Sequence, residues 1–414
     1  MTKPRILLCP DTPKWAYDNI CDQIVRQHSD KYDFERYYMA GSVGYPEVFL
    51  NQVFKIMDRF DVIHFFWRED VQHLLNPEAL FKASTAFQNT PEALFDAISS
   101  TVITASVYDH LLLEPQHFPW RERAFTFMDG YSVSSRALDA IYSDIDVFGK
   151  PVAVIPDGVD TDRFQPENLE RLAQDRGTLS IGWVGNSAWG NDPVRDAKGL
   201  NSILIPALDT LKAEGYDLTP HFADSTVQMR NHAEMVTYYG EIDVLVCSSE
   251  IEGTPNPVLE AMAAGVPVVS TRVGIVPDVL GSLQSEFILP ERSVAAMTAA
   301  LRRLLDDRSL LARMSKENQD QITNWTWEKT TRNWPDFWQT AIATHRDGRR
   351  GPLKRHLLRE RYAAWYCDHI KYKDHWQVAS GAAAPAGGLR ERAANWVYKN
   401  PKRLALFNRL RGRV

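Results

Sequence analysis

Residues 242–270 of the chain read IDVLVCSSEIEGTPNPVLEAMAAGVPVVS. The apolar run Ile242–Cys247 at its start predicts a buried strand, and a polar loop follows it. Pro257 favours the first turn of a helix, Gly265 favours the end of that helix, and Val266–Ser270 predicts the next strand. A strand, a loop, a helix and a second strand in this order are typical of a parallel sheet whose ligands bind at the carboxyl edge of its strands.

Short apolar runs of this kind recur along the chain and alternate with longer amphipathic segments. The candidate strands are Arg5–Cys9, Asp61–Phe66, Thr101–Val107, Tyr131–Val133, Pro151–Ile155, Leu179–Val184, Leu218–Phe222, Ile242–Cys247, Val266–Ser270 and Glu286–Leu289. Continuous apolar runs are expected of strands that are buried on both faces of a parallel sheet. The candidates fall into two series, before and after the turn-forming residues Pro156–Gly158. The sequence therefore predicts an α/β protein with two Rossmann-like, doubly wound domains.

The composition is that of a globular protein in a reducing compartment. Of the 414 residues, 44% are hydrophobic and 24% are charged, which excludes global disorder. The 4 cysteines include no Cys-x-x-Cys pair, which argues against a disulfide scaffold or a structural zinc site. Because only a short aliphatic run precedes Cys9 and no long apolar run follows, we expect no signal peptide, no membrane-spanning helix and a cytoplasmic location.

Charge is distributed unevenly along the chain. Residues 346–414 hold 17 Lys and Arg against 5 Asp and Glu, a net charge of +12, while residues 1–345 carry −18. Within this basic segment, residues 379–388 have the composition of a flexible linker. Asn400–Pro401 resembles a helix start, so an amphipathic helix is expected from there to the last residue. A basic tail on an acidic body is informative about partners rather than about the fold.

Two glutamates accompany the loop that follows Ile242–Cys247. Glu252 lies in the loop, and Glu260 lies in the predicted helix with seven residues between them. The backbone N–H groups of the loop and of the helix N-terminus suit an anion such as a diphosphate. Both oxygens of a carboxylate accept hydrogen bonds, so Glu260 can hold two sugar hydroxyls. Either glutamate alone would fit an ordinary helix surface, but together with the Gly-Thr-Pro-Asn-Pro loop they indicate a ligand site.

This segment resembles the E-x7-E signature of glycosyltransferase family 4, a large retaining family of GT-B fold. Glu252 matches the first glutamate, and EAMAAGVPVV, which begins at Glu260, matches the family's EAMAxGxPVV run. IPDGVDTDRF at residues 155–164 resembles the inter-domain stretch IPNGVDxxxF. Ile181–Gly185, followed by Lys198–Gly199, resembles the first strand of the family's nucleotide domain.

The resemblance implies a fold and a division of labour between domains. The fold is GT-B, in which two Rossmann-like domains face each other across a cleft, and a basic C-terminal extension is added here. We assign residues 1–156 to the acceptor domain and residues 157–322 to the nucleotide-sugar domain. Residues 323–345 are expected to form a helix that packs back on the body, and residues 346–414 the basic tail.

The resemblance also implies roles for single residues. Glu260 would hold the ribose hydroxyls of a nucleotide-diphosphate sugar, and Glu252 would lie beside the donor sugar. Lys198 would neutralise the diphosphate as its bond to the anomeric carbon breaks. The other residues expected at the donor are Gly185, Asn186, Arg195, Gly253, Thr254, Pro255 and Asn256.

The nucleotide domain departs from the family's pattern at one position. The family has an Arg directly after the Val-Gly of the first strand, where this chain has Asn186. One phosphate-neutralising charge is therefore missing, and Arg195 in the loop that follows is a candidate to replace it.

The acceptor domain departs from the pattern at two positions. The family's Gly-Gly loop after the first strand is replaced by CPDTPKWAY at residues 9–17. The family's His-Asp pair corresponds to Tyr108, Asp109 and His110, so either Tyr108 or His110 takes the place of the histidine. We predict His110 and Asp109, together with Glu252, as the catalytic residues.

No metal and no cofactor besides the donor itself are expected. A diphosphate held by Lys198 and a helix N-terminus needs no metal ion to leave. Asp144-Ile-Asp146 is a metal-type string, but it follows a helical stretch in the first half of the chain, away from the expected donor site.

The resemblance to glycosyltransferase family 4 implies a retaining, metal-independent glycosyltransferase. It would move a sugar by front-face displacement from a nucleotide-diphosphate donor to a hydroxyl of a glycan or lipid-linked saccharide, of the polysaccharide or lipopolysaccharide type. Two other functions stay open. One is sugar transfer onto a modified DNA base with the tail as a DNA clamp, and the other is a GT-B scaffold that binds nucleotide or glycan without turnover.

The basic tail has three interpretations. Residues 390–414 can bind an anionic membrane surface, with Trp396 and Phe407 inserted shallowly, which would place the enzyme at the inner face of the membrane. The same residues can bind nucleic acid, which we favour less. In the third interpretation the positive tail docks on the negative body.

Overall fold

The computed structural model describes residues 3–86, 90–174, 177–189 and 195–371. Within these residues, 10 strands form two parallel sheets, which confirms the predicted α/β class. The strands are β1 Arg5–Cys9, β2 Asp33–Arg36, β3 Val62–Phe65, β4 Val102–Val107, β5 Gly130–Val133, β6 Ala153–Val154, β7 Leu179–Gly185, β8 Leu218–Asp224, β9 Val244–Cys247 and β10 Val268–Ser270.

Helices connect the strands. In chain order they are α1 Ala16–His28, α2 Pro46–Val53, α3 Gln72–Leu75, α4 Pro77–Ala86, α5 Pro91–Ser100, α6 Phe118–Phe127, α7 Arg136–Ser143, α8 Ile205–Ala213, α9 His232–Glu241, α10 Asn256–Ala263, α11 Val276–Val279, α12 Ser282–Ser285, α13 Val294–Asp306, α14 Ser309–Ile322, α15 Trp327–Thr330, α16 Trp334–Arg346 and α17 Arg350–Tyr366. Local signals fix several of their ends. Asn231 and Glu234 form a capping box at the start of α9, and the Ser293 hydroxyl caps α13.

The first sheet has the order β2-β1-β3-β4-β5-β6, and its strands pair in parallel. The strand order reverses direction beside β1, so the carboxyl ends of β1 and β3 border the crevice where open sheets bind ligands. The second sheet has the order β10-β9-β7-β8, also parallel, with β9 and β7 at its centre. Both sheets belong to one compact unit that reaches Arg359.

The chain returns to the first sheet after it has completed the second. Trp334 and Trp338 of α16 are buried, and their rings lie 5.0 and 6.4 Å from the ring of His64 in β3. Phe337 and Ala341 of the same helix belong to the same apolar core as β1 and α1. The hydrophobic core of the first domain is therefore built from both ends of the described chain.

Helix α17 continues this return and alters the boundary that the sequence suggested at residue 346. Lys354 is fully buried in α17, donates to the Thr101 carbonyl at 2.9 Å and pairs with the equally buried Asp129. The Asp129 carboxylate also accepts from His345 at 3.1 Å. A buried carboxylate is stable only with cations beside it, and the start of the basic segment supplies one of them, Lys354. The start of this segment is thus part of the folded body. The predicted linker at 379–388 and the terminal helix lie outside the described residues.

Two differences from the expected strands have local causes. Asp33–Arg36 forms the edge strand β2, which the sequence analysis missed because the segment contains one apolar residue among charged ones. Glu286–Leu289, predicted as a strand, makes only an isolated bridge between Ile288 and Ser270. There the N–H groups of Phe287 and Ile288 donate to the turn that ends α12, so they are not available to a sheet.

Candidate functional site

The site is built around the loop between β9 and α10, at the carboxyl edge of the second sheet. The predicted helix is present as α10, with Pro257 in its first turn and Gly265 at a positive φ of 73° just after its end. Gly265 adopts the left-handed conformation that terminates a helix at low cost. The loop therefore delivers the N-terminus of α10 to the edge at which ligands bind in open sheets.

Glu260 projects from α10 toward α9. Its Oε2 accepts a hydrogen bond from the Tyr239 hydroxyl at 2.7 Å. The residue is partly exposed, yet burial raises the pKa of its carboxyl from the ordinary 4.5 to about 7, while the Tyr239 hydrogen bond and the charge of Arg163 lower it. The Tyr239 ring is itself buried and packs edge-on against Phe164 at 5.9 Å. Glu260 is thus held by a rigid aromatic support, and near neutral pH it is divided between two protonation states.

Glu252 and Lys198 lie together. The Lys198 Nζ is 2.5 Å from the Glu252 carboxylate, and both side chains are about four-fifths buried, with exposed fractions of 20% and 17%. The ammonium also lies 5.3 Å from the centre of the Trp189 ring. The residue expected at the diphosphate and the residue expected at the sugar therefore form one ion pair at the loop, with Trp189 beside it.

A close backbone approach places Lys198. Gly199 has a φ of +72°, and a Cβ atom there would overlap the Ser248 carbonyl oxygen, so only glycine fits. The Ser248 hydroxyl donates to the Lys198 carbonyl at 2.9 Å. Arg292, which the sequence analysis did not single out, donates from Nε to the Ser248 carbonyl at 3.0 Å. These contacts join the loop before α8 to the loop after β9.

Gly253 and Thr254 meet the first domain. A Cβ atom on Gly253 would overlap the Tyr108 carbonyl, so the second domain's loop touches the end of β4 directly. The Thr254 Oγ1 accepts from the backbone N–H of Asp157, in the connection between the sheets, at 3.3 Å. Pro255 is buried at the cap of α10. The structure thus brings the loop of the second domain and the carboxyl edge of the first sheet into contact.

Two buried polar atoms at this contact are unsatisfied. Among the residues that the structure describes, the Ser134 hydroxyl and the Asn256 Oδ1 are buried without a hydrogen-bond partner. Ser134 follows β5 and lies against Gly253, while Asn256 is the first residue of α10. Unpaired buried polar atoms are costly, so each of these two atoms would gain from a hydrogen bond to a polar ligand.

The residues at and after the end of β7 form hydrogen bonds and ion pairs with other groups of the second domain. Gly185 ends β7, and its carbonyl accepts from Ser225 at 2.9 Å. The Asn186 side chain accepts from the Ala188 N–H at 2.9 Å, which closes a turn. Arg195, the candidate for the missing phosphate charge, makes a two-point contact with Glu250 at 2.9 and 3.0 Å.

On the first domain, Asp109 and His110 have different surroundings. The Asp109 carboxylate is buried and accepts from Arg68 at 2.8 Å and from the Leu111 N–H at 2.9 Å. His110 is partly exposed. Burial lowers its pKa, and the second domain's Arg195 also lowers it, whereas Asp109 and Glu250 raise it. A lowered pKa keeps the imidazole neutral at pH 7, in a form that can accept or donate a proton.

Tyr108 takes a structural part. Its hydroxyl donates to the Asp157 carboxylate at 3.2 Å, and its ring lies 5.2 Å from the ring of Tyr17. Asp157 is buried, and burial raises its pKa to about 7. Of the two candidates for the family's histidine, Tyr108 is thereby occupied in the connection between the domains, and His110 is the one near charges of the second domain.

Sequence reasoning missed Tyr239, Arg163, Arg292 and Arg68. Arg163 lies within the inter-domain stretch at 155–164, but at one of the unspecified positions of IPNGVDxxxF, so the motif gave no signal for it. The other three act through contacts between distant elements, which no local pattern marks. No helix in the described part of the chain is long and apolar enough to cross a bilayer.

Part of the chain matches a known family model. Residues 225–321 match the family model described as glycosyl transferases group 1. The lipopolysaccharide core biosynthesis mannosyltransferase LpsB of Rhizobium meliloti is 27% identical over 230 residues, which are 48% of this chain and 62% of that relative. The MMP alpha-(1->4)-mannosyltransferase of Mycolicibacterium hassiacum is 26% identical over 225 residues, 51% of this chain and 54% of the relative. The chain therefore spans less than two thirds of the length of either relative.

Solved structures share the two-domain architecture. The crystal structure of Anabaena Alr3699/HepE in complex with UDP and glucose superposes with a TM-score of 0.57 at 15% identity, over 80% of this chain and 98% of that one. The catalytic domain of starch synthase IV from Arabidopsis thaliana, bound to ADP and acarbose, gives a TM-score of 0.57 at 10% identity, over 83% of this chain and 100% of that one. At these identities the likeness concerns the fold.

Proposed function

We propose that this chain, a GT4-type glycosyltransferase of GT-B fold by its family match and its structural neighbours, moves a sugar from a nucleotide-diphosphate donor to a hydroxyl of a glycan or lipid-linked saccharide. The acceptor class is suggested by the lipopolysaccharide core mannosyltransferase among its relatives. Transfer proceeds with retention at the anomeric carbon and without a metal ion.

One observation carries the proposal. Glu260, Glu252 and Lys198 lie around the first turns of α10, at the sheet edge that touches the first domain through Gly253. A ligand there meets a carboxylate for its hydroxyls, a helix N-terminus and an ammonium for its phosphates, and the unpaired Asn256 oxygen. A nucleotide-diphosphate sugar offers all of these groups in one molecule.

The reaction follows from the charges that these side chains hold. The bond between the anomeric carbon and the diphosphate oxygen breaks, and the electron pair leaves with the phosphate, where Lys198 stabilises the developing charge. The acceptor oxygen bonds to the anomeric carbon on the same face, and its proton passes to the departing phosphate oxygen. Before this, Lys198 must exchange its pairing with Glu252 for the diphosphate, which frees the Glu252 carboxylate to accept from the donor sugar.

The neutral imidazole of His110 is suited to the first domain's side of the reaction. It accepts a hydrogen bond from a hydroxyl of the transferred sugar and so orients the anomeric carbon. The basic residues 390–414, which lie outside the described part of the chain, would hold the enzyme at an anionic membrane surface where lipid-linked acceptors are found.

A donor panel tests the proposal. UDP-, GDP-, ADP-, CMP- and dTDP-sugars are added to wild type and to Glu260→Ala, and thermal stabilisation and donor hydrolysis are followed. A donor at 100 times its Kd stabilises the fold by about 2.7 kcal/mol, which is readily measured. Glu214→Ala is the matched control, because Glu214 lies on the surface of the same domain in an exposed pair with Arg302.

We expect one donor class to stabilise and to be hydrolysed slowly by wild type and by the control, but not by Glu260→Ala. Tight binding with neither hydrolysis nor transfer would point to a non-catalytic scaffold. No stabilisation by any donor would contradict the proposal.

A further inference from the structure

The turn that carries His110 is fixed by two buried arginines from elsewhere in the first domain. This turn, Asp109–Leu112, follows β4 at the sheet edge that faces the second domain. Arg68, three residues after the end of β3, and Arg121 in α6 have side chains that are 1% and 2% exposed. Buried guanidinium groups are rare because they lose their hydration, so what they contact is informative.

Arg68 holds the start of the turn. Its Nη2 donates to the Asp109 carboxylate at 2.8 Å and lies 3.4 Å from the Leu111 carbonyl. The same carboxylate oxygen accepts from the Leu111 N–H at 2.9 Å. The side chain of Asp109 is therefore directed into the first domain. One guanidinium contacts the residue on each side of His110, through the Asp109 carboxylate and the Leu111 carbonyl.

Arg121 holds the end of the turn. Its Nη1 donates to the carbonyls of Leu111 and Leu112, the latter at 2.8 Å. Glu69 lies 2.8 Å from Arg121 and 3.3 Å from Arg68, so one carboxylate joins the two arginines. Leu112 adopts a φ of +54°, a conformation that a leucine keeps only when its surroundings impose it.

The residue inside this network is His110. From its own domain it faces the charges of Asp109 and Arg68, and from the second domain those of Glu250 and Arg195. An ordinary surface turn needs no buried charges to hold its shape. The two buried arginines therefore indicate that the backbone of His110 has to be held at a fixed position.

We propose that Arg68 and Arg121 are positioning residues for sugar transfer, which fix the 109–112 turn and so hold His110 at the donor. Asp109 serves the same purpose and does not touch the substrate, in contrast to the catalytic role that the sequence suggested. This inference rests on the proposed function, since it assigns a supporting network to one residue of that site.

A kinetic double-mutant cycle tests it. Arg68→Lys keeps the charge but loses the forked geometry, and it is measured alone and together with His110→Ala. We expect Arg68→Lys alone to lower kcat at least tenfold with donor Kd within twofold, because the donor is held by the other domain. In the His110→Ala background the same substitution changes kcat less than twofold. Arg59→Lys, in an exposed pair with Glu35, is the matched control and leaves kcat unchanged.

A second variant distinguishes loss of positioning from loss of folding. In Arg68→Met/Asp109→Leu the buried pair is replaced by apolar side chains, which commonly preserves stability. We expect near-wild-type thermal stability but a kcat as low as that of Arg68→Lys. Because Arg68 lowers and Asp109 raises the pKa of His110, single Arg68→Met should also move the acid limb of the kcat profile to higher pH, which a purely structural residue would not do.

The outcomes separate the two claims. Equal kcat values for wild type and Arg68→Lys, or a loss in the His110→Ala background as large as in wild type, would overturn the positioning role and leave the proposed function standing. If the wild type transfers sugar from none of the donors in the panel, both the positioning role and the proposed function are overturned.

Discussion

Glu260 holds a carboxyl whose surroundings disfavour charge, while the ligand proposed for it favours charge. With a pKa of about 7, the group is mostly protonated at pH 6 and mostly ionised at pH 8. Ribose hydroxyls donate hydrogen bonds to the ionised form, so donor binding must draw the carboxyl into that form.

Donor affinity should therefore rise with pH. We expect the Kd of the donor to fall about tenfold between pH 6 and pH 8 in wild type, following the ionised fraction of a group with a pKa near 7. Isothermal titration calorimetry at several pH values measures this. Glu260→Gln should bind weakly with a flat pH profile. A wild-type affinity that is constant or falls over this range would disprove the assignment.

Tyr239 supports Glu260 through a single hydroxyl. Tyr239→Phe removes a hydrogen bond that favours the ionised Glu260 carboxylate, so less of the carboxyl is ionised at pH 7 and we expect donor affinity to fall. Because that bond lowers the pKa of Glu260, its loss should move the pH dependence upward as well. Tyr216→Phe, whose hydroxyl bonds to the exposed Asp306, is the control and should behave as wild type. Equal affinities in both variants would remove Tyr239 from the site.

At the scale of elements, the loop before α8 depends on one glycine. Gly199→Ala forces a Cβ atom onto the Ser248 carbonyl at a positive φ, and Gly215→Ala meets the same φ strain, at +93°, with nothing within 4 Å. The control should cost roughly 1–2 kcal/mol from the backbone alone. We expect Gly199→Ala to cost clearly more in urea unfolding and to weaken donor binding, since Lys198 moves with it. Equal losses of unfolding free energy in the two variants would show that the loop shifts to accommodate the Cβ atom at no additional cost.

What the sequence could predict follows from whether a signal is local. The helix α10 was predictable because Pro257 and Gly265 mark its two ends within one short stretch. The hydrogen bond from Tyr239 to Glu260 was not predictable, because it forms only when α9 packs beside α10. The edge strand Asp33–Arg36 was also not, because one phenylalanine among charged residues gives no strand pattern.

Helix α17 shows the same limit for charged residues. A lysine in a basic segment is ordinarily assigned to the surface, but Lys354 is buried by a partner, Asp129, that lies 225 positions earlier. Neither residue has a signal of its own in the sequence. The pairing therefore had to be seen in the structure before the boundary of the body could move past residue 346.

This pair should be a large contributor to stability. Asp129→Ala leaves Lys354 buried without a counter-charge, which costs about 3–5 kcal/mol in comparable cases. Asp96→Ala is the matched control, because Asp96 pairs with Arg355 of the same helix at an exposed position and should cost less than about 1 kcal/mol. Chemical denaturation compares them. A small loss for Asp129→Ala would mean that the buried pair contributes little to stability.

At the scale of the whole molecule, the proposed reaction makes a claim about metals. Transfer should continue within twofold after treatment with EDTA, since Lys198 and the N-terminus of α10 supply the positive charge. Asp144 and Asp146 lie between α7 and β6, where the chain returns to the amino end of a parallel strand, whereas the site lies at the carboxyl ends. Substituting both with Asn should therefore not change the rate. A loss that Mg²⁺ or Mn²⁺ restores would overturn metal independence.

The return of α16 to the first sheet has a consequence for biosynthesis. Translation releases the six strands of the first sheet early, but Trp334, Phe337 and Trp338, which cover His64 and its neighbours, leave the ribosome only after the entire second domain. In that interval the nascent chain displays an apolar sheet face, the kind of surface that chaperones recognise and that aggregates when left alone. The fragment 1–156 should accordingly be insoluble by itself and recover solubility when a peptide spanning residues 323–366 is supplied in trans.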